Sequence, residues 1–284
     1  MDFGVVLLRA VTVFVSVAVG LYVARYLLWR VERLAAPLSR RTGIPASLIA
    51  LSAVESRTPH AVLAQLLKEG RVEFRHVLQY TFATWPIRVV SLQLRIGVIP
   101  VALGALGLLG AVYLLIAYLP SFLGLFIATR VKAAWPDVAA SARMISSVNV
   151  WRQAVSITLR YLAVEAVLLS LEAAGVGVTL HWLPLPPEAV AVASVAAVRP
   201  TYGIMAAAPL YYSGRVGALD VLIALLAGRV VYMTVYEFPR TTVQFYASIY
   251  PPRVAGRITA YTAAVMYAAA FPAIAALGLA KLLH

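Results

Sequence analysis

The sequence contains no cysteine. That excludes a disulfide framework, a thiolate metal centre and a thiol nucleophile. Histidine is scarce as well: His60, His76, His181 and His284 stand at no ligand spacing, and no metal site is expected. Acidic residues number 11 against 24 basic ones. There is no Walker loop, no G-x-S-x-G and no pair of catalytic carboxylates on a soluble scaffold, so the sequence predicts neither an enzyme nor a cofactor. Charge of either sign makes up only 12% of the chain, while 62% is hydrophobic and the mean hydropathy is +0.88. A soluble domain does not have that balance, and the class it implies is an integral membrane protein.

What the chain has in abundance is long uncharged runs. Thirty-four residues separate Arg95 from Arg130, 23 lie between Arg257 and Lys281, and 15 between Arg9 and Arg25, against the roughly 20 apolar residues that a helix needs to cross a bilayer. No ten-residue alternation of the outer-membrane barrel kind recurs, so the fold class predicted is an all-α, multi-pass membrane protein of the cell (plasma) membrane. The net charge of +13 would point to nucleic acid in a soluble chain. Here the basic residues flank apolar segments, where lipid head groups and cytoplasmic retention account for them, and no nucleic acid is expected. The N-terminus carries Asp2 rather than a basic n-region, so the run up to Arg25 is predicted as a retained first span.

The chain also repeats itself. LLKEGRVEFRHVL (66–78) and LYYSGRVGALDVL (210–222) share six of thirteen positions at a shift of 144, Gly-Arg-Val among them. Upstream, IPASLIALSAVESRTP (44–59) aligns with LPPEAVAVASVAAVRPT (185–201) at a shift of 142, pairing Pro45 with Pro187, Ser52 with Ser194 and Arg57 with Arg199. Each copy reads as a long apolar helix (about 5–29; about 150–173), a short segment (44–54; 188–198), a break, and a second short helix (59–69; 201–213). Gly-Arg-Val follows, then an apolar helix (about 74–94; about 217–238) and a final long one (about 98–119; about 257–280). The predicted organisation is a first repeat at 1–132, an amphipathic cytoplasmic linker at 133–149 opened by Trp-Pro-Asp, and a second repeat at 150–284.

A short segment of 11 residues reaches about 16 Å as a helix, half the hydrocarbon thickness. It either turns back as a re-entrant hairpin or forms half of a broken span. With re-entrant hairpins, thirteen basic residues at the segment ends fall inside and three, Arg95, Arg215 and Lys281, fall outside; with broken spans the same residues divide evenly. The cytoplasmic excess of Lys and Arg selects the hairpins. Three spans per copy is an odd number, which makes the repeat inverted, and residues 30–41 hold four basic residues where the matching 174–187 hold none. Secondary transporters built this way bind their solute near the midplane, at the repeat interface.

The two breaks then supply the candidate site. In VESRTPHAV, Glu55, Ser56, Arg57 and Thr58 precede Pro59; in AAVRPTYGI, Arg199 precedes Pro200, Thr201 and Tyr202. Proline suits the first turn of a helix, Thr58 is positioned as an N-cap, and a half-helix N-terminus beside an arginine attracts an anionic or electron-rich edge. The alternative is that Glu55 and Arg57 pair with each other or with other intramembrane charges. Arg88 and Arg229 fall mid-helix in corresponding spans, one turn apart after alignment. Arg160, Glu165 and Glu172 share another span, with Glu165 as a candidate for proton coupling or for an ion pair with Arg160. Trp85, Trp182, Tyr211 and Tyr212 read equally as interfacial anchors or solute-stacking groups.

The succession of short helix, polar break, short helix, Gly-Arg-Val and apolar span resembles the gate or nucleoside-recognition domain family. That family includes the gate regions of ferrous-iron transporters, spore maturation membrane proteins and, distantly, concentrative nucleoside transporters. The match is best over 34–118 and recurs over 185–270. It implies a permease for a small polar solute, nucleoside-like among the choices, bound between two re-entrant hairpins. A non-transporting scaffold or gate subunit acting through a partner is the second expectation. The lipid bilayer is the partner implied throughout; a homo-oligomer or a partner membrane subunit fits either expectation.

Overall fold

The computed structural model describes residues 35–54, 56–95, 98–131, 133–135 and 185–283, together with Val11, Val15, Trp151, Val155 and Leu159. Almost all of the expected first spans of both copies, the linker beyond residue 135, Glu55, Arg160, Glu165, Glu172 and Trp182 lie outside the described residues. Among the described residues every regular element is helical. In chain order they are α1 (Ala46–Val54), α2 (Arg57–Lys68), α3 (Phe74–Arg95), α4 (Val98–Leu106), α5 (Leu108–Arg130), α6 (Pro187–Val198), α7 (Pro200–Tyr212) and α8 (Ala218–Tyr232). A π-helical segment, Met233–Val243, continues α8 into α9 (Gln244–Ile249), and α10 (Pro252–Leu283) ends the chain. Three of these stretches are long and apolar enough to cross a membrane: Leu108–Arg130, Ala218–Ile249 and Pro252–Leu283. The α3 helix has the length but not the composition, because Arg75, His76, Gln79, Arg88 and Gln93 interrupt it.

The chain forms two compact units. The first comprises Met1–Arg88, Gly124–Ala173 and Arg240–Tyr261; the second comprises Val89–Leu123, Ala174–Pro239 and Thr262–His284.

In the first unit, α1 and α2 form a helical pair whose polar positions are buried. Thr58 is fully buried, and Ser47, Ser52 and His60 nearly so. The α2 helix ends at Gly70, whose φ of 71° is open to glycine at no steric cost. Arg71 N and Val72 N both donate back to the Leu66 carbonyl, and the Val72 side chain tucks under the turn. Gln79 on α3 then fixes the C-terminal end of α5. Its Nε2 shares its two protons among the carbonyls of Thr42, Ala128 and Val131, at 2.7, 3.1 and 2.6 Å, and its Oε1 accepts from Trp135 Nε1 at 2.8 Å. Helix-end carbonyls have no intrahelical donor, so one buried amide satisfies what would otherwise be orphaned.

In the second unit, α6 is rich in alanine and packs closely against α7 and α8. Ala189, Ala193, Ala196 and Ala197 are buried. A Cβ on Gly228 of α8 would run into the Ala193 carbonyl oxygen and the Ala196 side chain. Small residues on both faces let helix backbones approach, which suits an apolar surround where hydrophobic burial adds little driving force. The α7 helix closes as α2 does: Gly214 has a φ of 72°, Arg215 N and Val216 N donate to the Leu210 carbonyl, and Val216 is buried.

Three expectations are corrected. The helix expected over 98–119 is interrupted at Gly107, whose φ of 56° reverses the local twist and separates α4 from α5. The stretch between the helices expected over about 217–238 and about 257–280 is itself helical except around Tyr250 and Pro251, because the π-helical segment carries α8 onward through Pro239 to Ile249. Wider i→i+5 bonding makes room for a proline whose missing N–H and ring would break an α-helical turn. Finally, Thr58 is not an N-cap. The helix starts at Arg57, Ser56 occupies the cap position in an α-helical conformation with no side-chain cap bond, and Pro59 falls at the third helical residue. In α7, by contrast, Pro200 is the first helical residue, and Arg199 before it is extended, at φ −154° and ψ 108°. That is the conformation a following proline imposes.

Candidate functional site

Each unit holds one cluster of arginine and aromatic side chains. In the first unit, α2 supplies Arg57 and His60, α3 supplies Tyr80 and Arg88, and α9 with its following turn supplies Phe245, Tyr246 and Tyr250. The spacing along α9 explains its contribution. Phe245 and Tyr246 are neighbours, and Tyr250 stands four residues beyond Tyr246 on the same side. The Arg88 guanidinium donates to the Tyr246 hydroxyl at 3.0 Å and lies over the rings of Phe245 and Tyr246, 5.4 and 5.6 Å from their centroids. Arg57 lies 5.8 Å from the same Phe245 centroid. Two cations therefore flank one ring, each within the range at which an aromatic quadrupole attracts positive charge.

His60 sits beneath them, 2% exposed. Its Nδ1 is hydrogen-bonded to the Tyr250 hydroxyl at 2.9 Å, and its ring meets Tyr80, Phe245, Tyr246 and Tyr250 edge-on at centroid separations of 5.1 to 5.8 Å. Burial first, and then the positive charge of Arg88, hold the imidazole well below its ordinary range, so it is neutral at pH 7. The charge facing any bound group thus comes from the arginines and not from His60. Among the described residues Arg88 forms no ion pair with a carboxylate.

In the second unit, Arg229 of α8 is 6% exposed and lies 5.7 Å from the Tyr118 centroid. Tyr113, one and a half turns before Tyr118 on α5, is fully buried beside it. Glu237 is the carboxylate whose charge reaches Arg229 and Tyr118. Arg199 and Tyr202, at the start of α7, are exposed and occupied with each other: the guanidinium stacks 5.1 Å from the Tyr202 centroid and donates to its hydroxyl at 3.3 Å. Thr201 is half-buried between them.

The sequence candidates thus separate. Arg57 and Arg88 are brought together; Ser56 is half-buried near them, while Thr58 is buried in the helix pair. Arg199 and Tyr202 form an exposed local pair, and Arg229 belongs to an interior cluster. Trp85, expected as an interfacial anchor or stacking group, is neither: it is buried and stacked on Phe82 at 6.0 Å. Glu55 and Glu165 lie outside the described residues. His60, Phe245, Tyr246, Tyr250, Tyr113, Tyr118 and Glu237 were not among the sequence candidates. The aromatic spacing in QFYASIY was the one signal available for three of them. No protein-family model, no curated protein and no solved structure matches the chain.

Proposed function

We propose that this membrane protein is a permease that binds and carries a small polar solute, and that Arg57 and Arg88 with Phe245 and Tyr246 hold the solute. The observation that carries this reading is Arg88: a half-buried guanidinium whose partners are a tyrosine hydroxyl and two aromatic faces, with no carboxylate among the described residues. Charge placed in an apolar surround is costly unless it has a use or a partner, so intramembrane arginines concentrate on solute pathways. Aromatic faces beside the cations suit a flat, electron-rich solute, and a nucleoside is one such solute. The matching glycine caps at Gly70 and Gly214 support two copies of one unit, and the charge difference between 30–41 and 174–187 supports their inversion across the membrane.

Uptake of labelled nucleosides and other small solutes into proteoliposomes tests the reading. Arg88→Gln is expected to lower uptake at least tenfold while the protein remains folded. No uptake and no binding over a broad panel by the unaltered protein would overturn it. Because the chain lacks cysteine, Ser39→Cys and Pro186→Cys each introduce a single thiol; the inverted arrangement requires them to react with a hydrophilic maleimide from opposite sides.

A second reading, a non-transporting scaffold, is favoured by α10. Only 17% of its most apolar stretch is buried within the chain, against 39% and 50% for the other two apolar helices. Under that reading Ser56→Cys stays inert to hydrophilic maleimide. A solvated solute pathway requires it to react.

A further inference from the structure

The second unit contains a cluster of buried donors that no part of the proposed solute site uses. Arg229 Nε, Tyr113 Oη and Tyr118 Oη are each buried without a hydrogen-bond partner, on side chains 6%, 0% and 7% exposed. Two of the three, Arg229 and Tyr118, are in cation–π contact, and Tyr113 acts on Arg229 at close range without a well-aligned hydrogen bond. A guanidinium N–H can only donate, and a tyrosine hydroxyl donates its proton to whatever acceptor it finds. Buried donors are otherwise almost always satisfied, so three together in one interior indicate a missing acceptor.

The charge present limits what that acceptor is. Arg229 is a permanent cation in a helix that is apolar enough to cross a membrane. The titratable groups facing it are Tyr113 and Tyr118 from α5, Tyr232 at the end of α8 and Glu237 from the π-helical segment. Glu237 influences Arg229 through its charge but forms no ion pair with it among the described residues. A buried cation beside two unpartnered hydroxyls makes an anion site. All three side chains are buried, Tyr113 completely, which leaves little room and favours a compact, spherical ligand over a branched one.

We propose that Arg229, Tyr113 and Tyr118 form an interior binding site for a small monovalent anion of the halide class. The site does not rest on the permease reading, because Arg229 is sequestered in the second unit and the solute residues proposed above belong to the first.

The test uses the full-length protein purified in detergent and exchanged into gluconate. Thermal unfolding is followed as chloride, bromide and iodide replace gluconate at constant ionic strength. The expected result is a rise in the unfolding midpoint that saturates with halide concentration, as it does for any ligand that binds only the folded state. Tyr113→Phe and Tyr118→Phe together are expected to abolish that rise while leaving the midpoint in gluconate unchanged or higher, since each removes an orphaned hydroxyl. Arg229→Gln is expected to abolish it too, and Arg257→Gln, an exposed basic residue resting on Phe74, to retain it. A midpoint that does not distinguish halide from gluconate, or a halide response that survives the double tyrosine variant, overturns the proposal. Loss of stability in gluconate on removing the two hydroxyls, with no halide response, would identify the acceptor as a buried water and overturn it equally.

Discussion

The two units solve the same problem of placing an arginine in an apolar interior with opposite chemistry. In the first, the arginines lie half-buried against rings whose hydroxyls and edges are engaged: Arg88 with Tyr246, and His60 with Tyr250. In the second, α8 carries its arginine into full burial among hydroxyls that have no partner, and α8 packs on α6 through glycine against alanine. The lesson is that the place of an arginine along a helix does not decide what receives it. Receipt depends on which aromatic residues the rest of the chain delivers.

The largest test of this difference removes the ring that organises the first cluster. His60→Ala deletes a fully packed side chain and strands the Tyr250 hydroxyl; a loss of about 3 kcal/mol is expected from the cavity and the orphaned donor together. Thermal or denaturant unfolding in detergent measures it. A loss under about 1 kcal/mol, within the ordinary range for sites away from the core, would mean the polar packing of the first unit is not what holds it. The next probe is steric and belongs to the second unit. Gly228→Val forces a branched side chain against Ala193 and Ala196 and is expected to cost about 2 kcal/mol by overpacking, read in the same assay. Equal tolerance of valine there would remove the small-residue contact as the basis of the contrast.

A third probe is pH. The folded state holds His60 neutral, with its proton affinity lowered by burial and by Arg88. The unfolded chain takes up a proton at His60 as pH falls through about 6.5. Protonation therefore favours the unfolded state, and the stabilisation is complete above that pH and is lost progressively below it. The decline should disappear in His60→Phe. Persistence of the same acid-side slope would assign it to other groups. The smallest effect is expected at Arg199→Ala, where an exposed stack on Tyr202 is removed at about 0.5 kcal/mol. A larger loss would show that the pair at the start of α7 does more than stack.

Much of the helix layout is written locally. Gly-Arg-Val marks both caps because a helix closing in this way needs one residue at positive φ, and only glycine takes it freely. Arg199-Pro200 predicts its own break, since proline dictates the conformation before it. Where the local rule is weaker, the sequence misleads. Gly107 lies in an apolar run with no proline or polar residue beside it, and its helix reads as continuous. Pro239, conversely, reads as a stop, yet the chain runs through it by widening its hydrogen bonding. The clusters were less legible still. Arg88 and Arg57 stand out as charges in apolar surroundings, but Tyr246 is 158 residues from Arg88 and Tyr250 is 190 from His60. No periodicity connects residues that far apart, and an aromatic side chain in a membrane protein is too common to announce a partner.

The π-helical segment Met233–Val243 has a mechanical consequence. A helix bonded i→i+5 winds more residues into each turn than one bonded i→i+4, so it is shorter and broader for the same number of residues. An α-helical pattern would draw out the helix Ala218–Ile249 and turn whatever follows it about the axis, but Pro239 within the segment opposes it, because its ring would meet the carbonyl four residues before it. Proline thus holds this stretch of chain short and broad.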